Sequence, residues 1–319
     1  MKYYIIAGEA SGDLHGANLM KALYQEDPKA DIRFWGGDLM QATGGTLVKH
    51  YKDLAFMGFI EVLFNLKTIL NNISIAKKDI LEFQPDVIVF IDYPGFNLRI
   101  AKWAKTLGIK THYYISPQIW AWKENRITDI KRDVDKMYVI LPFEKDFYEN
   151  KHHYPVNFVG HPLIDAIHNQ PQVDGAVFRK ENHLNDQPII AILPGSRKQE
   201  ITKMLSLMLS IVQDFPDYQF VIAGAPSQEF SFYEKFITNN NIKFISNKTY
   251  ALLQNATAAL VTSGTATLET ALFKVPEVVC YKGSWASYQI AKRIITLKYI
   301  SLVNLIMDQE VVTELIQDD

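Results

Sequence analysis

Short β-branched or aromatic runs alternate with longer helical stretches along the whole chain, and that alternation restricts the fold more than any single motif. "YYIIA" precedes a helical pattern at 14–24 and "DVIVFID" precedes one at 98–107; "KTHYYIS" and "KMYVILP" follow, the latter leading into a helical stretch at 144–149. Strands that are apolar at nearly every position are buried on both faces, as in a parallel sheet covered by helices. Residues 165–188, "DAIHNQPQVDGAVFRKENHLNDQP", are polar, proline-marked and weakly periodic, which is the character of a domain boundary. The rhythm then restarts with "PIIAILPGSR", "YQFVIAG", "IKFIS", "AALVTSGTATLE" and "VPEVVCY". The expected architecture is α/β: two Rossmann-like αβα lobes with parallel sheets, residues 1–170 and 171–319, facing a cleft, with the ligand at the carboxyl ends of the strands.

The chain has 319 residues, 48% of them hydrophobic and 21% charged, enough for each lobe to bury its own core. Lys and Arg number 33 against 35 Asp and Glu, a net charge of -2, so no basic field recommends a nucleic acid as partner. The single cysteine, Cys280, lies in the apolar run "EVVCY", where a buried strand thiol is expected and an internal disulfide is excluded. A strand pattern from residue 3 with no cleavable leader points to the cytoplasm. The longest apolar run, "AFMGFIEVLFNL" at 55–66, is interrupted by Glu61 and Asn65 and is too short to span a bilayer.

Three strands end in glycine and hydroxyl residues just before a helix: "AGEASGD", "LPGSR" and "TSGTATLE". Each offers unpaired backbone N–H groups and a positive dipole end to an anion, although the same residues also serve as ordinary caps and turns. Two such loops in the second lobe point to a diphosphate. Neither continues into Gly-Lys-Ser/Thr, and "GEASGDLHG" is not spaced as GxGxxG, so ATP hydrolysis and dinucleotide binding lose support. Arg197 adds a forked cation suited to a diphosphate leaving group; the competing reading pairs it with Glu200. Glu269, one helical turn beyond Thr265, is placed to accept ribose hydroxyls or simply to favour the helix dipole.

Asp92 ends a strongly apolar strand and precedes a Pro-Gly turn. It is placed either to take a proton from a hydroxyl or to cap the turn. His15, His112 and His161 sit at strand or loop ends without the i, i+4 spacing of a zinc site, so no metal and no cofactor is expected. Asp133 and Asp135 in "RDVDK" resemble a metal-binding DxD, but they enter the sheet at its amino edge and read as a solvated turn. The aromatic stretches "AFMGFIEVLFNL" and "QIWAW" read first as core and alternatively as a surface for acyl chains. Residues 281–299 carry Lys282, Lys292, Arg293 and Lys298 with Trp285 and no acid, which suits an anionic lipid surface.

Taken in order, "AGEASGDLHGA", "MGFIEVL", "PDVIVFIDYPGFN", "YYISPQIWAW", "LPFEKDFY", "FVGHPL", "LPGSR", "SGTATLE" and "YISLVNL" resemble the lipid A disaccharide synthases, glycosyltransferases of the GT-B fold. The resemblance implies an inverting, metal-independent transfer of 2,3-diacylglucosamine from UDP-2,3-diacylglucosamine to the 6-hydroxyl of 2,3-diacylglucosamine 1-phosphate. The products would be a β-1,6 disaccharide 1-phosphate and UDP. It implies Asp92 as base, with Ser11, Asp13, His15, Ser116 and His161 on the acceptor side. Around UDP it implies Gly195, Ser196, Arg197, Ser263, Gly264, Thr265, Glu269 and Asn304. It also implies peripheral contact with anionic lipid at the cytoplasmic face of a Gram-negative inner membrane, and allows a homodimer of the full-length protein.

Two positions depart from the family pattern. Gly95 stands where a second aspartate is common, which favours Asp92 as base, and Val303 stands where a proline is common. The family pattern continues through further helices, so the second lobe is expected to lack its final ones. Two other readings compete: a soluble UDP-N-acetylglucosamine 2-epimerase-like enzyme, and a non-catalytic nucleotide-sugar binding protein. The lipid-like stretches argue against the first and Asp92 against the second.

Overall fold

A computed structural model describes residues 1–53, 66–226, 228–283 and 297–317. The chain splits into two compact units, Met1–Pro162 and Leu163–Asp319, so the division falls a few residues before the 170/171 position read from the sequence.

In the first unit β1 (Lys2–Ala7), α1 (Ala10–Glu26), β2 (Asp31–Gly36), α2 (Asp38–Thr43) and β3 (Thr46–His50) come first. After them run α3 (Leu66–Phe83), β4 (Val87–Ile91), α4 (Pro94–Thr106), β5 (Lys110–Tyr114), α5 (Ile127–Asp133), β6 (Lys136–Val139), α6 (Pro142–Asp146) and β7 (Asn157–Phe158). The seven strands form one sheet in the order β3-β2-β1-β4-β5-β6-β7, with every pairing parallel. The strand order reverses between β1 and β4, whose register pairs Ala7 with Ile91. Successive side chains enter opposite layers: Tyr4 and Ile6 join a core with Ile88, Phe90 and Ile100, and Ile5 and Ala7 join one with Val89, Ile91 and Met20. All five residues of β4 are buried, which is why its sequence is unbroken by polar residues.

The second unit repeats the plan. After α7 (Pro162–His168), which starts at the division, come α8 (Gly175–Glu181), β8 (Ile189–Leu193), α9 (Lys198–Leu209), β9 (Gln219–Gly224), α10 (Phe230–Glu234) and β10 (Ile242–Ser246). Then follow α11 (Thr249–Asn255), β11 (Ala258–Thr262), α12 (Thr265–Leu272), β12 (Glu277–Tyr281), α13 (Leu302–Met307) and β13 (Thr313–Ile316). Its six parallel strands lie in the order β10-β9-β8-β11-β12-β13. Here the reversal is between β8 and β11, with Leu193 opposite Val261. Ile190, Ile192 and Cys280 pack in one layer, and Ile189, Ala191, Leu193 and Val261 in the other.

Asp133 ends α5 and Asp135 immediately precedes β6. Arg132 holds Asp133 at 2.6 Å, and Asp135 accepts from the Thr111 N–H and pairs with Lys105. Asp133 is thus paired within its own helix, and Asp135 fastens the start of β6 to β5 and α4.

Glu277 opens β12 with 8% exposure, and neither carboxyl oxygen has a hydrogen-bond partner. Burial pushes its pKa up to about 8, well above its value in an unfolded chain. The folded protein therefore holds a proton there that the unfolded chain releases. The stability this proton supports is complete at about pH 4, falls as pH rises, and is lost by about pH 8. Glu277→Gln is expected to match the parent in denaturant melts near pH 4 and to exceed it at pH 8; parallel pH curves for the two proteins would refute the assignment.

Candidate functional sites at the two strand-order reversals

In the first unit the β1 and β4 exits lie side by side, since Ala7 and Ile91 are register partners. Gly8 follows β1, and a Cβ there would come within 2.4 Å of the Tyr93 ring, so only glycine fits. Asp92 and Tyr93 follow β4 with φ of +43° and +51°, two consecutive left-handed residues, each costing about 1–2 kcal/mol. Three contacts hold that backbone: the Asp92 carbonyl accepts from Asn97 Nδ2 at 2.7 Å and from Tyr113 Oη at 2.6 Å, and its N–H donates to the Tyr114 carbonyl at 3.3 Å. Burial, reinforced by the nearby carboxylates of Glu9 and Glu144 and opposed by the Tyr93 N–H, pushes the Asp92 carboxyl up to about 6. A carboxylate so placed is ionised at neutral pH yet a stronger base than a free aspartate.

His15 and His161 meet edge to face, 6.5 Å between ring centres. Burial, with His161 beside it, brings His15 down to about 4, and burial brings His161 to about 4 as well. Both imidazoles are neutral at pH 7, and His15 Nδ1 is buried without a partner. Ser11 is exposed on the first turn of α1.

Two residues assigned to the acceptor from the sequence have their polar atoms engaged internally. Asp13 is 2% exposed and accepts from the N–H groups of Gly37, Leu39 and Met40 at 2.7–3.0 Å, so it caps α2. Ser116 is buried and donates to Glu144 at 2.5 Å. Glu144 also accepts from Trp120 Nε1 and from the N–H groups of Ile140 and Leu141. This buried acid pins the "SPQIWAW" loop to the end of β6. Nothing local in "LPFEKDFY" marks Glu144 for this task, since its side-chain partners lie in a loop more than twenty residues earlier.

In the second unit "LPGSR" leaves β8 and "TSGTATLE" leaves β11, and the Leu193–Val261 register places the two loops together. Gly195 has φ of +103°, and a Cβ on it would meet Glu200 Oε2 at 2.7 Å. Ser196 and Arg197 are exposed before α9. Arg197 Nη1 lies 3.7 Å from Glu200 Oε1 across an exposed surface, a weak pair that leaves the guanidinium available to an anion. Gly264 and Thr265 are exposed at the start of α12, whereas Ser263 Oγ donates to the Ile300 carbonyl at 2.9 Å. Glu269, on the second turn of α12, accepts from Tyr250 Oη at 2.8 Å; burial raises its pKa and that hydroxyl opposes the rise.

Asn304 was assigned to the nucleotide from the sequence, but it is 0% exposed. Its amide donates to the Val312 carbonyl and Glu314, and its oxygen accepts from the N–H groups of Val311 and Val312. It ties α13 to β13 and has no polar atom left for a ligand.

Among the described residues no group of three or more His, Cys, Asp or Glu side chains could hold a metal ion, and no helix is long and apolar enough to cross a membrane. Phe56, Phe59 and Phe64, in the stretch read first as core and alternatively as a surface for acyl chains, and Trp285, Lys292 and Arg293, read as suiting an anionic lipid surface, lie outside the described residues.

A family model described as lipid-A-disaccharide synthetase matches residues 3–319. The chain is similar to the lipid-A-disaccharide synthase of Coxiella burnetii, 40% identical over 320 residues that cover 99% of this chain and 84% of that protein. It is equally similar to the synthase of Idiomarina loihiensis, 40% identical over 329 residues, covering 100% and 86%. Among solved structures it resembles the UDP-GlcNAc 2-epimerase of Neisseria meningitidis bound to UDP-GlcNAc, with a TM-score of 0.64 at 14% identity over 97% of this chain and 90% of that one. It also resembles the glycotransferase of kitacinnamycin, with a TM-score of 0.63 at 13% identity over 98% and 86%. At such identities the likeness shows the fold alone, and that fold is the GT-B arrangement expected from the sequence.

The internal roles of Asp13 and Asn304 make a joint prediction. Alanine at either position strands several buried backbone groups and is expected to cost on the order of 3 kcal/mol in urea unfolding. Loss of ligand binding without loss of stability would return either residue to the ligand.

Proposed function

The chain belongs to the lipid-A-disaccharide synthetase family, whose members are glycosyltransferases, and on that premise we propose that it makes the β-1,6 disaccharide 1-phosphate of lipid A. The donor is UDP-2,3-diacylglucosamine and the acceptor 2,3-diacylglucosamine 1-phosphate. The observation that carries the mechanism is Asp92, held at the β1/β4 reversal by its own backbone contacts with its carboxyl pushed up to about 6.

The ionised Asp92 takes the proton of the acceptor 6-hydroxyl as that oxygen attacks the anomeric carbon. The bond from that carbon to the diphosphate breaks on the opposite face, inverting the centre and releasing UDP. Negative charge growing on the diphosphate is met by Arg197 and by the N–H groups opening α9 and α12, with no metal called for. Glu269 accepts hydroxyls of the ribose. Ser11 and the neutral His15 and His161 form hydrogen bonds to the acceptor without competing for the proton at pH 7. We place the reaction at the cytoplasmic face of the inner membrane, with the protein in peripheral contact with anionic lipid.

Asp92→Asn tests the base. Asparagine tolerates the left-handed backbone, so folding and UDP binding are expected to persist while UDP release from the two lipid substrates slows about 100-fold or more. In the parent, kcat/KM is expected to fall as pH drops through about 6, where Asp92 takes up its proton. Undiminished turnover in the variant would remove Asp92 from the mechanism.

Arg197→Ala is expected to weaken UDP binding about tenfold and to slow transfer, since a charge-assisted contact to the diphosphate is lost. Calorimetric titration with UDP reads the first effect directly; an unchanged Kd would leave Arg197 as a surface partner of Glu200.

A further inference from the structure

Tyr250 stands on α11 and Glu269 on α12, and a single hydrogen bond of 2.8 Å joins their side chains. The Tyr250 ring lies 5.3 Å from that of Phe273, centre to centre, so the phenol ring packs against a neighbour. The hydroxyl reaches Oε1 of the carboxylate, and Oε2 takes no part in that bond. Both side chains are half-buried, so the bond is partly sheltered from competing water. We infer that Tyr250 is the positioning residue for Glu269, fixing its carboxylate in the rotamer and charge state that accept the hydroxyls of a nucleoside ribose. The inference rests on the placement of the nucleoside at Glu269 proposed above.

The physical argument has two parts. A glutamate has three rotatable bonds, and ordering it at the moment of binding would oppose binding; a bond already made removes part of that cost. A half-buried carboxylate also tends to keep its proton, and a protonated oxygen is a poor acceptor for sugar hydroxyls. A phenol donating to the ionised form counters that tendency. Among the described elements packed on α12, α11 brings Tyr250, β12 brings Glu277, Cys280 and Tyr281, and β11 and α13 bring no titratable side chain. Lys248, just before α11, reaches Glu181 at 3.3 Å, and Lys274 follows α12. Of these, Tyr250 is the group bonded to Glu269.

The experiment is a double-mutant cycle read by calorimetric UDP binding between pH 5 and 8 on the whole chain, with Tyr250→Phe, Glu269→Gln and the pair. Phenylalanine keeps the ring against Phe273, and thermal melts check that each variant folds. Tyr250→Phe is expected to weaken UDP about fivefold at pH 7 and to move the acid-side loss of affinity to higher pH, because Glu269 then holds its proton more tightly. The double variant is expected to bind no worse than Glu269→Gln alone, since Tyr250 acts only through that carboxylate. If Glu269→Gln weakens UDP but Tyr250→Phe does not, or if the two losses multiply, or if the pH profile keeps its place, the positioning role is wrong and the nucleoside placement stands. If Glu269→Gln leaves UDP binding unchanged, the placement fails and the positioning role with it.

Discussion

Parallel pairing of the first strand with the fourth in one unit, and of the corresponding strands in the other, is the constraint from which both sites follow. In each unit the chain winds outward one way from its first strand, then crosses back to begin again on that strand's other side. The two loops flanking the crossing cannot be covered by a single helix, so they stay open together. Ala7 beside Ile91 and Leu193 beside Val261 place Gly8 next to Asp92 and the Gly195 loop next to the Gly264 loop. Residues more than sixty positions apart in sequence become neighbours through backbone hydrogen bonding alone, before any side chain selects a ligand.

The two reversals differ in what their loops contain. At the first reversal the polar groups are the Glu9 and Asp92 carboxylates and the neutral imidazoles of His15 and His161. Such a set can accept protons and form hydrogen bonds but has little to attract an anion. At the second, the exposed groups are backbone amides, hydroxyls and the Arg197 guanidinium, which suit a phosphate, with the half-buried Glu269 carboxylate held by Tyr250 beside them. Membership of a glycosyltransferase family agrees with that separation, because sugar transfer needs a base for one substrate and an anion site for the leaving portion of the other.

The fold was legible in the sequence because burial on both faces of a parallel sheet forces uninterrupted apolar runs, visible in "VIVFI" and "IIAIL". The loops at their ends were legible because glycine and hydroxyl residues concentrate there. The fate of individual polar side chains was not, because it depends on partners distant along the chain. Asp13 bonds to residues 24 to 27 positions away, and Ser116 finds Glu144 at a separation of 28. Asn304 meets the return of the chain at Val311 and Val312. Nothing in the local pattern separates such residues from Ser11 or Arg197, which remain exposed. Tyr250 carried no signal either, since an aromatic residue early in a helix is ordinary until its hydroxyl is seen to reach another helix.

The left-handed turn at Asp92 and Tyr93 reaches beyond the placement of one carboxylate. Few L-residues accept positive φ without penalty, and among acids the short aspartate side chain suits it better than glutamate. The backbone therefore acts as a filter on inheritance: sequence drift at position 92 is steered toward aspartate, asparagine and glycine whatever the demands of chemistry. A lineage could remove this carboxylate in one step through asparagine while keeping the scaffold, but could not easily lengthen it. Inactive descendants of such a protein would carry their history in that residue, with the rest of the strand unchanged around it.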